Sequence, residues 1–395
     1  MRPGFPKRNL PSRQLSAALA LASILLAGLT GCDAQQPWPL WESYTQHFLD
    51  QQGRVIDRTA GDRTTSEGQA YAMFFALVDN DKPRFAKLLD WTEANLAGGD
   101  LTARLPAWNW GKTSSGEWKI LDDNSASDAD LWLAYTLIEA GRLWRDPRYD
   151  KLGRLIAQRI AREEVVLVPG LGATLAPGPH GFHTSNDTWI LNPSYLPLPL
   201  LVYLARTLPA APWGSVLETL PQLLSGQLAR GFAMDWVEAG ASGVHPSAPP
   251  REPTAGEREP QPAGSYDAIR VYLWLGIADP STPGQRQLLD QFSGMAAYMR
   301  TAINPPLEVD AQGNVVRPDG SVGFSAALVP YLQAAGLKPQ ARTQEDRLIA
   351  SKDPGTGLYG RSAEYYDQNL ALFSTAWSER RYRFERDGKL HLKWK

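Results

Sequence analysis

The chain has 395 residues, 40 Lys and Arg against 42 Asp and Glu, and 43% hydrophobic residues, enough to bury at least one large core. Its formal net charge of -2 comes without clustered Lys and Arg, which excludes a nucleic-acid binder driven by phosphate contacts. A single cysteine, Cys32, excludes an internal disulfide framework.

At the N-terminus, Arg2, Lys7, Arg8 and Arg13 precede the apolar run LSAALALASILLAGL over 15–29. That run is too short to span a bilayer comfortably and suits an export signal. It ends in Leu29-Thr30-Gly31-Cys32, which resembles a lipobox, so residues 1–32 are expected to be a signal peptide and Cys32 a lipidation site. The protein is then periplasmic or secreted, touching a membrane only through that anchor.

Beyond the leader, apolar spacing of three and four residues predicts helices over 38–50, 66–79, 82–97, 127–144, 147–163, 194–207, 213–229, 265–277, 285–303, 322–336, 340–351 and 362–380. Strand-like pieces are short: 164–176, 229–237, the DAQGNVV turn, and the terminal ERDGKLHLKW with a hairpin turn at Asp387-Gly388. Paired helices without a fixed sequence repeat favour one closed ring of hairpins over a solenoid. The expected fold is therefore all-α, a single (α/α)6 barrel over 33–395 with peripheral β segments. Residues 241–264, rich in Pro, Gly and charge, read as a mobile surface insertion.

Three acids carry the chemistry. Glu67 follows three hydroxyl residues at the start of a helix apolar almost throughout, where desolvation favours the neutral form that a general acid needs. The stretch DDNSASDADLW over 122–132 is not a calcium loop, because counting from Asp122 the fifth position is Ala126 and the twelfth Leu133. Ser127 and Asp130 have capping-box spacing, and Asp128 shares a helix face with Trp132 and Tyr135. Asp267 stands three residues before Arg270, whose charge is expected to hold it ionised as a base. Around these acids, Trp108 and Trp110 in the loop AWNWG offer indole faces for sugar rings, and Trp132 lies beside Asp128. The five histidines, including those of GPHGFH, have no dense ligand spacing, so neither a metal nor a cofactor is expected.

Taken together and in order, TTSEGQAYAMFFAL, PAWNWG, DDNSASDADLWLAYTLIEAGRLW, NPSYL, SYDAIRVYLW and YYDQNLALFSTAW resemble the family 8 glycoside hydrolases, in particular the endoglucanases encoded with bacterial cellulose synthase. The resemblance spans about residues 38–383 and implies an (α/α)6 barrel with an open cleft that hydrolyses β-1,4-glucan with inversion. It places Glu67 at the general acid, Asp267 at the base and Asp128 at the signature aspartate, described either as a nucleophile or as a residue holding the central sugar. An inverting reaction has no enzyme nucleophile, so sugar distortion and tuning of Glu67 are the expected tasks of Asp128. Tyr195, Tyr266 and Arg270, within the matched motifs, are expected to contact substrate with Trp108, Trp110 and Trp132. The implied partners are a cellulose chain and the synthase complex. The rival readings are a non-catalytic glucan-binding scaffold and a family 8 hydrolase for xylan or chitosan.

Overall fold

The inner helices are those whose sequence is apolar on every side. In Ser66–Val78 every residue but Glu67 is buried, and in Ala268–Ile277 all are, so both must sit in the middle of a core. By contrast Pro147–Glu163 buries only Gly153, Ile156, Ala157 and Ile160, the one-sided stripe of an outer helix. The structure, a computed structural model, describes residues 1, 3–4, 37–184, 187–226, 230–251 and 259–395. Most of the segment expected to be a signal peptide, with Cys32 expected to be lipidated, lies outside the described residues.

Thirteen helices occur among the described residues: α1 Pro39–Phe48, α2 Ser66–Val78, α3 Lys82–Leu96, α4 Ser127–Trp144, α5 Pro147–Glu163, α6 Leu198–Thr207, α7 Trp213–Gly226, α8 Ala268–Ile277, α9 Gln285–Gln291, α10 Ser293–Met299, α11 Val322–Ala334, α12 Lys338–Ala350 and α13 Tyr365–Ser378. Helices α2, α4, α6, α8, α11 and α13 follow one another around a ring, each touching the next and α13 touching α2. Outside them, α3, α5, α7, α9, α12 and α1 each back one inner helix, which makes the unit Trp38–Lys393 an (α/α)6 barrel. Where α8 meets α11 the backbones nearly touch, since a Cβ on Gly276 would lie 2.3 Å from the Tyr331 nitrogen.

The middle of the ring is filled with aromatic side chains rather than left open. Trp132 packs 5.2 Å from Trp274 and 4.9 Å from Phe373, and Tyr71 lies 5.0 Å from Phe373. Trp132, expected in the groove beside Asp128, is only 1% exposed and belongs to this plug. It does share the Asp128 face, but four residues at 1.5 Å each carry it about 6 Å deeper along the axis. One turn further, the Tyr135 hydroxyl donates to the Gly388 carbonyl at 2.8 Å. Gly388 sits at φ +79° in the turn of the hairpin β12 Tyr382–Phe384 and β13 Leu390–Leu392, foreseen at Asp387-Gly388, which closes the floor.

Four departures from the sequence reading have local causes. The helix expected over 285–303 breaks at Phe292, where Gly294 packs against Gly231 and a Cβ would meet the Arg230 carbonyl at 2.3 Å. The strand expected over 229–237 begins only at Trp236, as β7 Trp236–Gly240, paired with β6 Trp189–Leu191 and β8 Gly243–Ser247. Within the segment expected as an insertion, β8 and Ala263–Gly264 are strand-paired at its two ends, while 252–258 lie outside the described residues.

The capping box at Ser127 does not form: the N-cap is Ala126, the Ala129 N–H bonds to the Asp128 carboxylate at 2.8 Å, and Asp130 turns inward. There it meets Glu164 in a buried pair of acids, to which Ser125 donates at 2.6 Å. Burial pushes Asp130 well above the ordinary carboxylate range and lifts Glu164 to about 8. An acid raised on folding stabilises below its unfolded pKa and loses that contribution as pH rises towards the folded value. Glu164→Gln should therefore flatten the fall in stability between pH 5 and pH 8 by roughly 1–3 kcal/mol, read from urea midpoints at both pH values.

Candidate active site

Five inner helices begin at one mouth of the barrel. Glu67 is the second residue of α2, Asp128 of α4 and Tyr366 of α13, Asp267 immediately precedes α8, and Tyr195 ends a short 3-10 turn just before α6. The positive ends of the helix dipoles thus face the carboxylates. Thr65 caps α2, accepting the Gly68 N–H at 3.1 Å, which fixes Glu67 in the first turn. Its strand β1 Thr64–Thr65 pairs with β2 Asn109–Lys112, and the Ser66 N–H bonds to the Trp108 carbonyl at 3.1 Å, bringing the Trp108 loop to Glu67.

The resulting cleft has a volume of about 270 Å³. Of the site residues named from the sequence, Glu67, Asp128, Asp267, Trp108, Tyr195, Tyr266 and Arg270 line it. Trp110 does not. Strand alternation turns it away from Gly111, whose α-carbon faces the cleft residue Arg63, so Trp110 stacks on Trp118 at 5.1 Å beneath the Arg54 guanidinium. Trp108→Ala should raise KM about tenfold with kcat little changed, whereas Trp110→Ala should cost about 3 kcal/mol of stability and leave KM alone. Steady-state kinetics and thermal melts on both variants separate the two roles.

At the centre lies Arg270, 3% exposed. Its Nη2 meets Asp267 Oδ1 at 2.6 Å, and its Nη1 contacts Glu67 Oε2 and lies 3.5 Å from Asp128 Oδ2. The sequence paired Arg270 with Asp267 alone; the fold shares it among three acids. Ser194 accepts from Nη2 at 2.9 Å and donates its own hydroxyl to Asn192 Oδ1 at 2.7 Å, which holds the guanidinium in place.

Burial, then the neighbouring Glu67, push the Asp128 carboxyl well above its ordinary value, with Arg270 opposing. The site thus gathers three carboxyl groups around one guanidinium. Asp267 is also raised, by burial first, against the lowering effects of Arg270, the Asn192 amide and the Trp236 indole. The expectation that Arg270 would dominate Asp267 is thus corrected: desolvation outweighs it. Chemically, the cleft offers carboxyl groups from different helix starts, able to give or take a proton, and aromatic faces at Trp108, Tyr195 and Tyr266.

Several lining residues escaped the sequence reading. Arg63, Ser66 and Tyr366 line the cleft, and Tyr366 donates to the Tyr266 carbonyl at 2.6 Å. Ser66, Asn192, Ser194 and Tyr366 lay inside motifs already singled out. Asp235 and Trp236 lay within the strand-like piece 229–237 but in no motif that pointed to the site. Asp235 Oδ1 accepts three backbone N–H groups, from Ser265, Asp267 and Ala268, at 2.8, 3.0 and 2.7 Å.

Comparison with known proteins gives a consistent picture. The family model "Glycosyl hydrolases family 8" matches residues 16–380. A relative named "Endoglucanase" from Escherichia coli strain K12 is 41% identical over 378 residues, covering 95% of this chain and 96% of the relative. Another of that name, from Xanthomonas axonopodis pv. citri, is 41% identical over 379 residues, covering 96% and 94%. The crystal structure of an endo-1,4-D-glucanase from Vibrio fischeri ES114 superposes with a TM-score of 0.78 at 38% identity, covering 91% of this chain and 99% of that one.

Proposed function

The chain belongs to glycosyl hydrolases family 8 and is a glycoside hydrolase, and from that premise we propose that it is an endo-β-1,4-glucanase cutting within cellulose chains with inversion. The observation that carries this reading is the placement of Glu67 and Asp267 in one cleft, on different helices, joined by the fork of Arg270. The names of the relatives point to the same substrate class.

A glucan chain lying over Trp108 and Tyr266 presents one glycosidic oxygen to Glu67. Glu67, as the general acid, delivers a proton to that oxygen, and the bond to the anomeric carbon breaks through an oxocarbenium-like state. Asp267 takes a proton from a water attacking the opposite face, so the new reducing end has the α configuration. Asp128, for which an inverting reaction has no nucleophilic step, holds Glu67 and the central sugar. Export through the leader, attachment through Cys32 and action on nascent cellulose beside a synthase complete the proposal.

The test compares soluble cellulose derivatives with xylan and chitosan, reading reducing ends and viscosity. The expected result is a rapid viscosity fall on the cellulose derivative first. Equal or faster cleavage of xylan or chitosan would overturn the substrate assignment, and no cleavage of any would favour a glucan-binding scaffold.

A further inference from the structure

Asp267 occupies the N-cap position of α8, yet its side chain makes no capping bond. An aspartate there normally turns back to accept its own helix's free N–H groups. Here the donors it would use are bonded within the backbone, the Ile269 N–H to the Ser265 carbonyl at 3.1 Å and the Arg270 N–H to the Asp267 carbonyl at 3.0 Å. Asp235, from the stretch just before β7, accepts the N–H of Asp267 and Ala268, and that of Ser265 ahead of them. The Asp267 carboxylate is thereby left to reach Arg270 at 2.6 Å in the cleft.

We propose that Asp235 is a positioning residue for the base: it holds the backbone N–H groups that open α8 and keeps the Asp267 carboxylate turned into the cleft. This rests on Asp267 being the base. The neighbouring Trp236 acts on the same group from the same strand, its indole lowering the Asp267 pKa. Asp267 is also faced by Glu67 from α2, Arg270 from α8, Tyr195 and Asn192 from the turn before α6, and Tyr366 from α13. Asp235 is faced by Asp267 and by the phenols of Tyr272 and Tyr366. Burial and Asp267 push it up to about 7 against the pull of its three N–H donors.

Substitutions at Asp235 test this geometry. Asp235→Ala frees the N–H groups, so Asp267 turns back onto the Ala268 N–H, as Asp128 does onto that of Ala129. The expected loss is about 100-fold in kcat, with KM nearly unchanged. Asp235→Asn keeps an acceptor oxygen in place and should restore kcat to within about tenfold of wild type. Activities are normalised to the folded fraction by circular dichroism, and Asp235→Ser, too short to hold all three donors, replaces Asp235→Ala if that variant does not fold. Full kcat in folded Asp235→Ala or Asp235→Ser, or a loss in Asp235→Asn as large as theirs, would overturn the inference. Asp267→Asn tests the premise separately: retained turnover there removes Asp267 as the base, whatever Asp235 does.

Discussion

Glu67→Gln should lower turnover on a soluble β-1,4-glucan by about 10³–10⁴-fold, because a sugar alkoxide leaves slowly without a proton donor. The amide is nearly isosteric, its oxygen still accepts from Arg270, and the capped start of α2 is untouched. Melting temperature and KM should therefore stay close to wild type, placing the loss in kcat. A second consequence falls on Asp128. Its carboxyl is raised by burial and by Glu67, so removing that charge should bring its pKa down, although burial will keep it above the ordinary range. Reducing-end assays against pH, with a protein-stability control, check both parts.

Arg270→Met is expected to be nearly as damaging to activity and far worse for stability. Three carboxyl groups converge on this buried guanidinium, and methionine fills much of its volume without its charge. Breaking a buried ion pair by removing one partner costs roughly 3–5 kcal/mol, since the remaining charges stay desolvated. The protein relieves this by protonating Asp267 or Asp128, so the loss should be largest at high pH and partly recovered below pH 5. Denaturant unfolding of wild type and variant at pH 5 and pH 8 measures the difference. Arg270→Lys keeps the charge but not the fork, and should recover stability more than turnover.

What could be read before the fold was known follows a physical division. Unbroken apolar runs such as AYAMFFALV and AIRVYLWLGI announce inner helices, and one-sided stripes such as that of α5 announce outer ones. The acids Glu67, Asp128 and Asp267 were legible because each opens such a helix within a motif dense in chemistry. The strands were less legible. β1 has two residues and the strand Ala263–Gly264 two, too few for any period, and their pairing is fixed by segments distant in sequence.

The same limit explains Trp110 and Trp132. Their type fits a sugar platform, but which way a strand residue points, or how deep a helix residue lies, is decided by tertiary packing. Sequence also assigned Arg270 to its neighbour three residues away, while the ring brings Glu67 to it from 203 residues away. Asp235 shows the limit most clearly: its work is done on backbone groups of another segment, which leaves no pattern around it.

The central claim is that Glu67 and Asp267 act from opposite faces of one bond. The most direct test is proton NMR of cello-oligosaccharide hydrolysis, followed from the first turnovers before mutarotation. The account predicts that the new reducing ends appear first as the α-anomer and then relax towards the β. Initial release of the β-anomer would contradict it, and would require a carboxylate acting as a nucleophile instead.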